Sequence, residues 1–408
     1  MSSLYRKIIA QSAVRTLFQP LISIKRNAVI GYEALSRGIN PTNGNVVPPL
    51  ELFSWARDNN SSLELDRLCR KRAFQNFSPI LAEQRELMLS VNLDTSVLDQ
   101  GAQGSGHLFK QTQRLGINPN NVIIEITESG VEDITALLSF IHSYRNHGFL
   151  IALDDVGTGY SNLERIALIK PDVIKIDRSL IKDLDKDFTK KEVTRSLVSL
   201  SGKLGTLVVG EGVERVQEAV TLLDMGVDVM QGFYFAGPFA NVRDADEWPE
   251  RVRQAANQYK TETVRRFARH TERQQTFQEM IQAIVDELSR IRVKDQDAAL
   301  VSCISRYPNL ECIYVLDMGG KQISSTMCNP FKIAMNKRFI YQPAEKGADH
   351  SLKRYFLPLS AGLETHTTEP YISLASGNLC TTLSSRFTSQ DREACVVCLD
   401  ISEQDCDC

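Results

Sequence analysis

Nothing in the 408-residue sequence approaches 18 consecutive apolar residues, so no membrane-spanning helix is expected. The N-terminal segment MSSLYRKIIAQSAVRTLFQP lacks the apolar stretch of a secretory signal, so a cytoplasmic chain is expected. A surplus of one charge is missing too. With 47 Lys and Arg against 50 Asp and Glu, there is no basic field for a nucleic-acid polymer or an anionic membrane. Cysteine is nearly absent from the first 300 residues, where Cys69 stands alone, and the other eight lie between Cys303 and Cys408. An odd total of nine in a cytoplasmic chain argues for reduced thiols rather than a disulfide framework. The C-x-x-C at Cys395 and Cys398 sits inside the run ACVVCLDI, where strand geometry sends the two side chains to opposite faces. Cys406 and Cys408 offer two ligands, too few to close a metal site. A hydrophobic content of 42% with only 14 Pro and 23 Gly excludes bulk disorder and collagen-like repeats.

What is present suits two or three domains. Eight short β-branched runs alternate with helix-period segments: TLFQPLISI, AVIGYEALS, ELMLSVNL, NVIIEITE, LIALDDV, DVIKID, TLVVGEGV and DVMQGFYFA. That alternation predicts a TIM-like β/α barrel over residues 1–245. An open doubly wound sheet is the rival, but no Gly-rich phosphate fingerprint follows the first run. Only Lys25, Arg26 and Asn27 separate the first two runs, too few for a parallel crossover, so the first strand should pair antiparallel. Residues 246–293 read as a charged helical connector. Within it Phe277, Ile281, Ile284, Leu288 and Ile291 form a heptad seam that fits either packing on its own domain or dimerisation. Residues 294–408 contain strand-like runs (ECIYVLDMGGKQISS, RYF, EPYISLASGNLCTTLSSRF, REACVVCLDI) broken by Gly turns, a small α+β domain.

The chemistry gathers at the ends of the barrel runs. The second ends in Glu33, the third in Asn92, the fourth in Glu125 and Glu128, and the fifth in Asp154 and Asp155. Lys175 and Asp177 follow in the sixth, Glu211 and Glu214 in the seventh, and Gln231 in the eighth. In β/α barrels these ends converge on one mouth. Converging carboxylates repel unless a cation neutralises them, and oxygen ligands suit hard ions such as Mg²⁺ or Mn²⁺. Adjacent Asp154 and Asp155 could serve two ions roughly 3.5–4 Å apart, as in two-metal phosphoester hydrolysis. A lone strand-end Glu is more often a helix cap or ion-pair partner. A whole ring of acids, amides and a lysine is not so readily explained away.

YEALSRG, LSVNLD, EITES, LDDVGTGYSNL, VIKIDRSLI, GEGVER and MQGFYFAGP together resemble, in order and spacing, the EAL family of cyclic-di-GMP phosphodiesterases from about Thr16 to Phe239. That resemblance implies cyclic-di-GMP as substrate, a Mg²⁺ or Mn²⁺ two-metal site, hydrolysis to linear pGpG and a homodimer. It implies that Glu33, Asn92, Glu125 and Asp154 ligate one metal, and that Asp154 and Asp155 bound a second. Lys175 would polarise the attacking water, and Glu211 would contact metal and water as general base or through a bridging water. Gln19, Leu35 and Arg37 would contact the nucleotide, Gln231 would orient the water or a metal ligand, and Asp177 would position Lys175. Glu128 would anchor the loop 155–161 through a hydroxyl of Thr158 or Ser161. Val156, Gly210, Arg215 and Gly237 depart from the family's usual residues, and none of them removes a ligand.

The C-terminal domain resembles the PAS/Cache class of ligand-sensing folds, with Arg354, Tyr355 and Tyr371 at positions that line a pocket for an unknown small ligand. These tyrosines read equally as ordinary sheet and core aromatics. No cyclase, Walker or nucleophile-elbow sequence is found there.

Overall fold

The computed structural model describes residues 2–94, 106–127, 133–158, 162–242, 248–332 and 342–402. The chain divides into two compact units at Val264/Arg265.

After helix α1 (Ser2–Ala10), strands β1 (Val14–Ser23) and β2 (Ala28–Ile39) pair antiparallel across their short turn, as so brief a link requires. The two-residue β3 (Val46–Val47) adds to the outside of β2. Helices α2 (Pro49–Asp58) and α3 (Ser62–Glu83) lead to β4 (Met88–Leu93), and α4 (His107–Arg114) leads to β5 (Val122–Thr127). Then come α5 (Ile134–Asn146), β6 (Leu150–Val156), α6 (Asn162–Ile169), β7 (Val173–Ile176), α7 (Arg178–Ile181) and α8 (Phe188–Leu204). β8 (Leu207–Gly210), α9 (Val216–Met225) and β9 (Val229–Met230) complete the series. From β2 through β4 to β9 neighbouring strands run parallel, and β9 meets β1 antiparallel, so the ring β1-β9-β8-β7-β6-β5-β4-β2 closes on itself. This is a TIM-like barrel with an inverted first strand.

The eighth run is shorter as a strand than its sequence suggests. At Gly232 the chain passes so close to Val213 that a Cβ would lie 2.1 Å from the Val213 carbonyl oxygen. The Tyr234 N–H donates to that same carbonyl, and the backbone turns instead of extending.

Strand alternation sets the site. Leu21, Ile123, Ala152, Val173, Val209 and Val229 form a small apolar cluster inside the ring. Two residues along the same strands, on the same face, stand Gln19, Glu125, Asp154, Lys175, Glu211 and Gln231. The apolar layer is therefore the floor on which the polar layer rests. Outward-facing residues such as Ile124, Ile126, Leu153 and Ile174 pack with Phe74, Phe77, Phe140 and other helix residues in the main core.

Helix α10 (Trp248–Leu288) contains the boundary between the units. Its early turns bury Val252 and Ala255 in the barrel's core. Its last turns bury Ile281, Ile284 and Leu288 in the core of the second unit, with Phe277 and Ile291 packed alongside. The heptad seam thus faces its own domain.

In the second unit, α11 (Gln296–Arg306) precedes β10 (Leu310–Asp317) and β11 (Met327–Cys328). After α12 (Leu357–Ser360) come β12 (Thr365–Thr367), β13 (Tyr371–Ile372), β14 (Leu379–Thr388) and β15 (Ala394–Ser402). The sheet is antiparallel, in the order β11-β10-β15-β14-β12 with β13 on β14. RYF (354–356) is not a strand. Phe356 and Leu357 N–H groups both donate to the Lys353 carbonyl, a turn that runs into the Pro358-led α12. One face of the sheet packs Ile313, Val315, Cys395 and Val397 against α10 and α11. The other carries Tyr314, Leu316, Val396 and Cys398, so Cys395 and Cys398 lie on opposite faces.

Candidate functional site

The mouth of the barrel is organised around one ammonium group. Lys175, 2% exposed on β7, places Nζ 2.5 Å from Glu125 Oε1 and 2.6 Å from Glu211 Oε1. Asp154 Oδ1 and Glu33 Oε2 lie 3.4 and 3.5 Å from the same nitrogen. Among the described residues, five carboxylates, counting Asp155, therefore share a single positive side chain.

Each acid is held differently. Glu33 accepts from Asn92 Nδ2 at 3.0 Å and from Gln231 Nε2 at 2.7 Å. Burial opposes its ionisation, but Lys175 and these amides outweigh burial and keep its carboxyl below the usual range. Glu125 is fully buried, with Oε1 accepting from Ser90 Oγ at 2.6 Å. Burial, then the neighbouring charge of Glu33, pushes it well above the usual range despite Lys175. Glu211, nearer solvent, is pushed up to about 8, first by burial and then by Asp154 and Glu33 acting against Lys175. Asp155 rises to about 6 through burial and the adjacent Asp154. For Lys175 burial favours the neutral amine, but the surrounding carboxylates win and raise it well above the usual lysine value.

Asp155 has a left-handed backbone at φ 55°, within a register shift between β6 and β7. The irregularity turns consecutive acids toward one point. Oxygens of Asp154, Asp155 and Glu211 all come within 4.8 Å of one another.

The amides link this cluster to the predicted nucleotide side. Gln231 Nε2 also donates to Gln19 Oε1, and Gln19 Nε2 donates to the Ala236 carbonyl. Leu35, Arg37 and Asn92 line a cavity of about 540 Å³ beside the mouth. Arg57, Asp66 and Arg70, from α2 and α3, line the same cavity. Sequence reading confined to strand ends misses them, since nothing in their spacing distinguishes them from ordinary helix charges. Asp66 and Arg70 form a buried ion pair, and burial still lifts the Asp66 carboxyl to about 6.

One expected contact does not appear, and one strand-end acid lies away from the cluster. The Asp177 carboxylate accepts from the Ser179 N–H as the cap of α7 and makes no contact with Lys175. Glu214 pairs with Arg178 at the surface. Glu128 and Ser161 lie outside the described residues, and the Thr158 hydroxyl donates to the Asp155 carbonyl. Of the four departures, Val156 is fully buried in the barrel core. A Cβ on Gly210 would meet Leu222 Cδ1 at 2.7 Å, so the glycine suits the packing of α9 on β8. Arg215 pairs with Asp185 and Glu218 and helps cap α9.

Fold and mouth define a closed β/α barrel with an acid-lined, cation-attracting centre. Residues 2–238, more than half of the chain, match the EAL domain, and the chain belongs to the EAL domain family. It is 26% identical over 344 residues to the EAL-domain containing protein YkuI of Bacillus subtilis, covering 83% of this chain and 82% of YkuI. It is 30% identical over 239 residues to the cyclic di-GMP phosphodiesterase PdeR of Escherichia coli, 58% of this chain but only 36% of PdeR. The structure of YkuI in complex with c-di-GMP and calcium matches over 98% of both chains with a TM-score of 0.80 at 23% identity, a likeness of fold. Klebsiella pneumoniae BlrP1, solved as a manganese and c-di-GMP complex, matches 56% of each chain with a TM-score of 0.51 at 30% identity. No described helix is long and apolar enough to cross a membrane.

Proposed function

We propose that this protein is a divalent-cation-dependent phosphodiesterase that hydrolyses one phosphodiester of cyclic-di-GMP to give linear pGpG. The observation that carries the reading is the cluster of five carboxylates around Lys175 at the mouth of an EAL barrel. Complexes of relatives with c-di-GMP together with calcium or manganese support it.

The residues present fit hard cations. Their donors are oxygens, and buried Glu125 Oε2, Asp154 Oδ1 and Gln231 Oε1 have no hydrogen-bond partner among the described residues. Fully ionised, the five carboxylates would exceed the one ammonium by four charges, which two divalent ions match. Glu33, Asn92, Glu125, Asp154 and Glu211 would hold one ion, and Asp154 with Asp155 the other, Mg²⁺ or Mn²⁺ being the physiological choice. When bound, such ions acidify water and neutralise charge on phosphoryl oxygens.

The chain's own groups divide the remaining work. Lys175 stays protonated across the neutral range, so it donates hydrogen bonds and cannot accept the water's proton. Glu211, the most exposed of the acids around Lys175, is the acceptor we assign: its carboxyl is raised by burial and by Asp154 and Glu33, and cations that offset those charges would leave it ionised and free to take the proton. Gln231 fixes the orientation of Glu33 by donating to it. The guanidinium of Arg37 offers a planar fork to a substrate phosphate, beside Leu35 in the adjoining cavity. Glu128 would anchor the loop after β6. A homodimer would form through that loop face, since the Phe277–Ile291 seam packs within its own unit.

The test is chromatographic detection of pGpG from cyclic-di-GMP and full-length protein with Mg²⁺, with Mn²⁺ and with a chelator. Metal-dependent product that vanishes in Glu33→Gln is the expected result. Binding without product would instead make the protein a cyclic-di-GMP receptor.

A further inference from the structure

The second unit contains a cavity of about 800 Å³, larger than the one beside the barrel mouth. Its floor is the sheet face opposite α10 and α11, where Tyr314 on β10 and Asp400 on β15 open onto it. Tyr355, Tyr371 and His350 stand around them. Tyr355 is 6.1 Å from Tyr314 and 6.5 Å from Tyr371 by ring centroids, so the three rings form one aromatic wall.

Asp400 is the residue that no other feature of the fold explains. It is 3% exposed, follows Val396 and Cys398 on the same face of β15, and no Lys, Arg or His among the described residues pairs with it. Oδ1 accepts from the Thr382 hydroxyl, its cross-strand partner, at 2.6 Å. Since that hydroxyl's proton is committed to Asp400, the Tyr371 hydroxyl donates to Thr382 in turn, at 2.5 Å. Both donors thus lean toward the ionised carboxylate, whose other oxygen has no partner among the described residues and borders the cavity. Buried Glu311 adds negative field from the same sheet. A lone buried carboxylate is costly unless something positive meets it, and aromatic walls beside a carboxylate favour organic cations. Burial raises the Asp400 carboxyl to about 7, which shows how little the protein itself supplies as counter-charge.

His350 is fully engaged, with Nδ1 on Tyr355 Oη at 2.6 Å and Nε2 on Gln322 Oε1 at 3.0 Å, so it fixes the wall rather than titrating against Asp400. At the rim Arg354 is exposed and makes no hydrogen bond or ion pair among the described residues.

We propose that this cavity binds a small organic ligand carrying a free ammonium group, which Asp400 receives on the tyrosine-walled floor, with Arg354 available at the rim for a carboxylate where the ligand has one. Two sources share that chemistry, free amino acids and simple alkylamines.

Isothermal titration calorimetry of the full-length protein would use the L-amino acids, ethanolamine and putrescine as probes, each beside its N-acetylated counterpart. At least one free amine should bind, with its N-acetyl form at least 100-fold weaker. Asp400→Asn keeps an acceptor for Thr382 but removes the charge, and should weaken the same ligand at least 100-fold. Ala375→Trp, placed on a turn in the cavity wall, should block binding without touching the sheet. Binding by amino acids alone assigns Arg354 the carboxylate, and binding by amines as well leaves Asp400 as the sole charged contact. The proposal is overturned if no probe binds at 10 mM, if N-acetylation makes no difference, or if Asp400→Asn binds unchanged.

Discussion

Replacing Lys175 by Met tests the electrostatic core of the barrel directly. The side chain volume is nearly kept, while the one cation among the described residues within 3.5 Å of Glu33, Glu125, Asp154 and Glu211 is lost. Removing one partner of a buried ion pair costs about 3–5 kcal/mol. For a unit of this size each kcal/mol moves Tm by roughly 2–4 °C, so the barrel should melt about 10 °C lower in chelator. The loss depends on pH. Glu125 and Glu211 already titrate above their ordinary values, and a carboxyl raised by folding lowers stability as pH climbs from its unfolded to its folded pKa. Without Lys175 those values rise further, so the deficit should be larger at pH 8 than at pH 6. Divalent cation should return about 3 kcal/mol per site when held at a hundredfold its Kd, making the variant's Tm more metal-responsive than the parent's. Both tryptophans, Trp55 and Trp248, lie in the first unit, so their fluorescence follows this transition separately from the second unit. Equal stability of variant and parent in chelator at pH 8 would refute the account of Lys175 as the counter-ion of the cluster.

Glu33→Gln keeps the shape of the carboxylate but removes its charge, and should abolish pGpG formation while cyclic-di-GMP binding, measured by calorimetry, persists. Asp400→Asn should stabilise the second unit in the absence of ligand. The folded pKa of about 7 against an ordinary 3.8 penalises the parent increasingly as pH rises through that interval, to about 4 kcal/mol by pH 8. Urea unfolding followed by near-ultraviolet circular dichroism should show the advantage growing from pH 5 to pH 7 and then levelling. Gly31→Ala should cost more than 2 kcal/mol in urea unfolding, because its Cβ would lie 2.6 Å from the Met88 carbonyl oxygen where β2 meets β4. Gly210→Ala should cost less than 1 kcal/mol, since only the Leu222 side-chain tip must move.

The barrel was legible because its strands carry two signals at once, apolar inner residues and polar ones two positions later. Glu125, Asp154, Lys175 and Glu211 could be picked from the sequence since each ends such a strand, and the ring brings the three acids to the Lys175 nitrogen. Asp177 follows the same pattern yet turns away, because the chain bends into α7 at that residue and its carboxylate is taken as a cap. Strand-end position says which residues reach the mouth but not which way the next φ turns. The end of the eighth run was misread for a related reason. MQGFYFA has strand composition, but the close approach of Gly232 to Val213 is a tertiary contact with no local signature. Asp400 was hidden in the second unit because one acid in ACVVCLDIS looks like the solvent face of an edge strand. Only its pairing with both β10 and β14 reveals that it is buried.

The early turns of α10 decide where the barrel can be cut free. Phe239 closes the ring by exchanging hydrogen bonds with Phe18, N–H to carbonyl in both directions, which makes the stretch just beyond it look like a natural end. Yet Val252 and Ala255, 1% and 0% exposed, are part of the barrel's core, and the Tyr234 hydroxyl donates to the Arg251 carbonyl. A chain stopped at Asn241 would keep every strand and every acid of the mouth but leave an apolar groove open where the helix had lain. Stopped near Val264, the enzyme half would retain its own lining, and activity lost by the shorter fragment alone would reflect that exposed groove rather than a missing regulator.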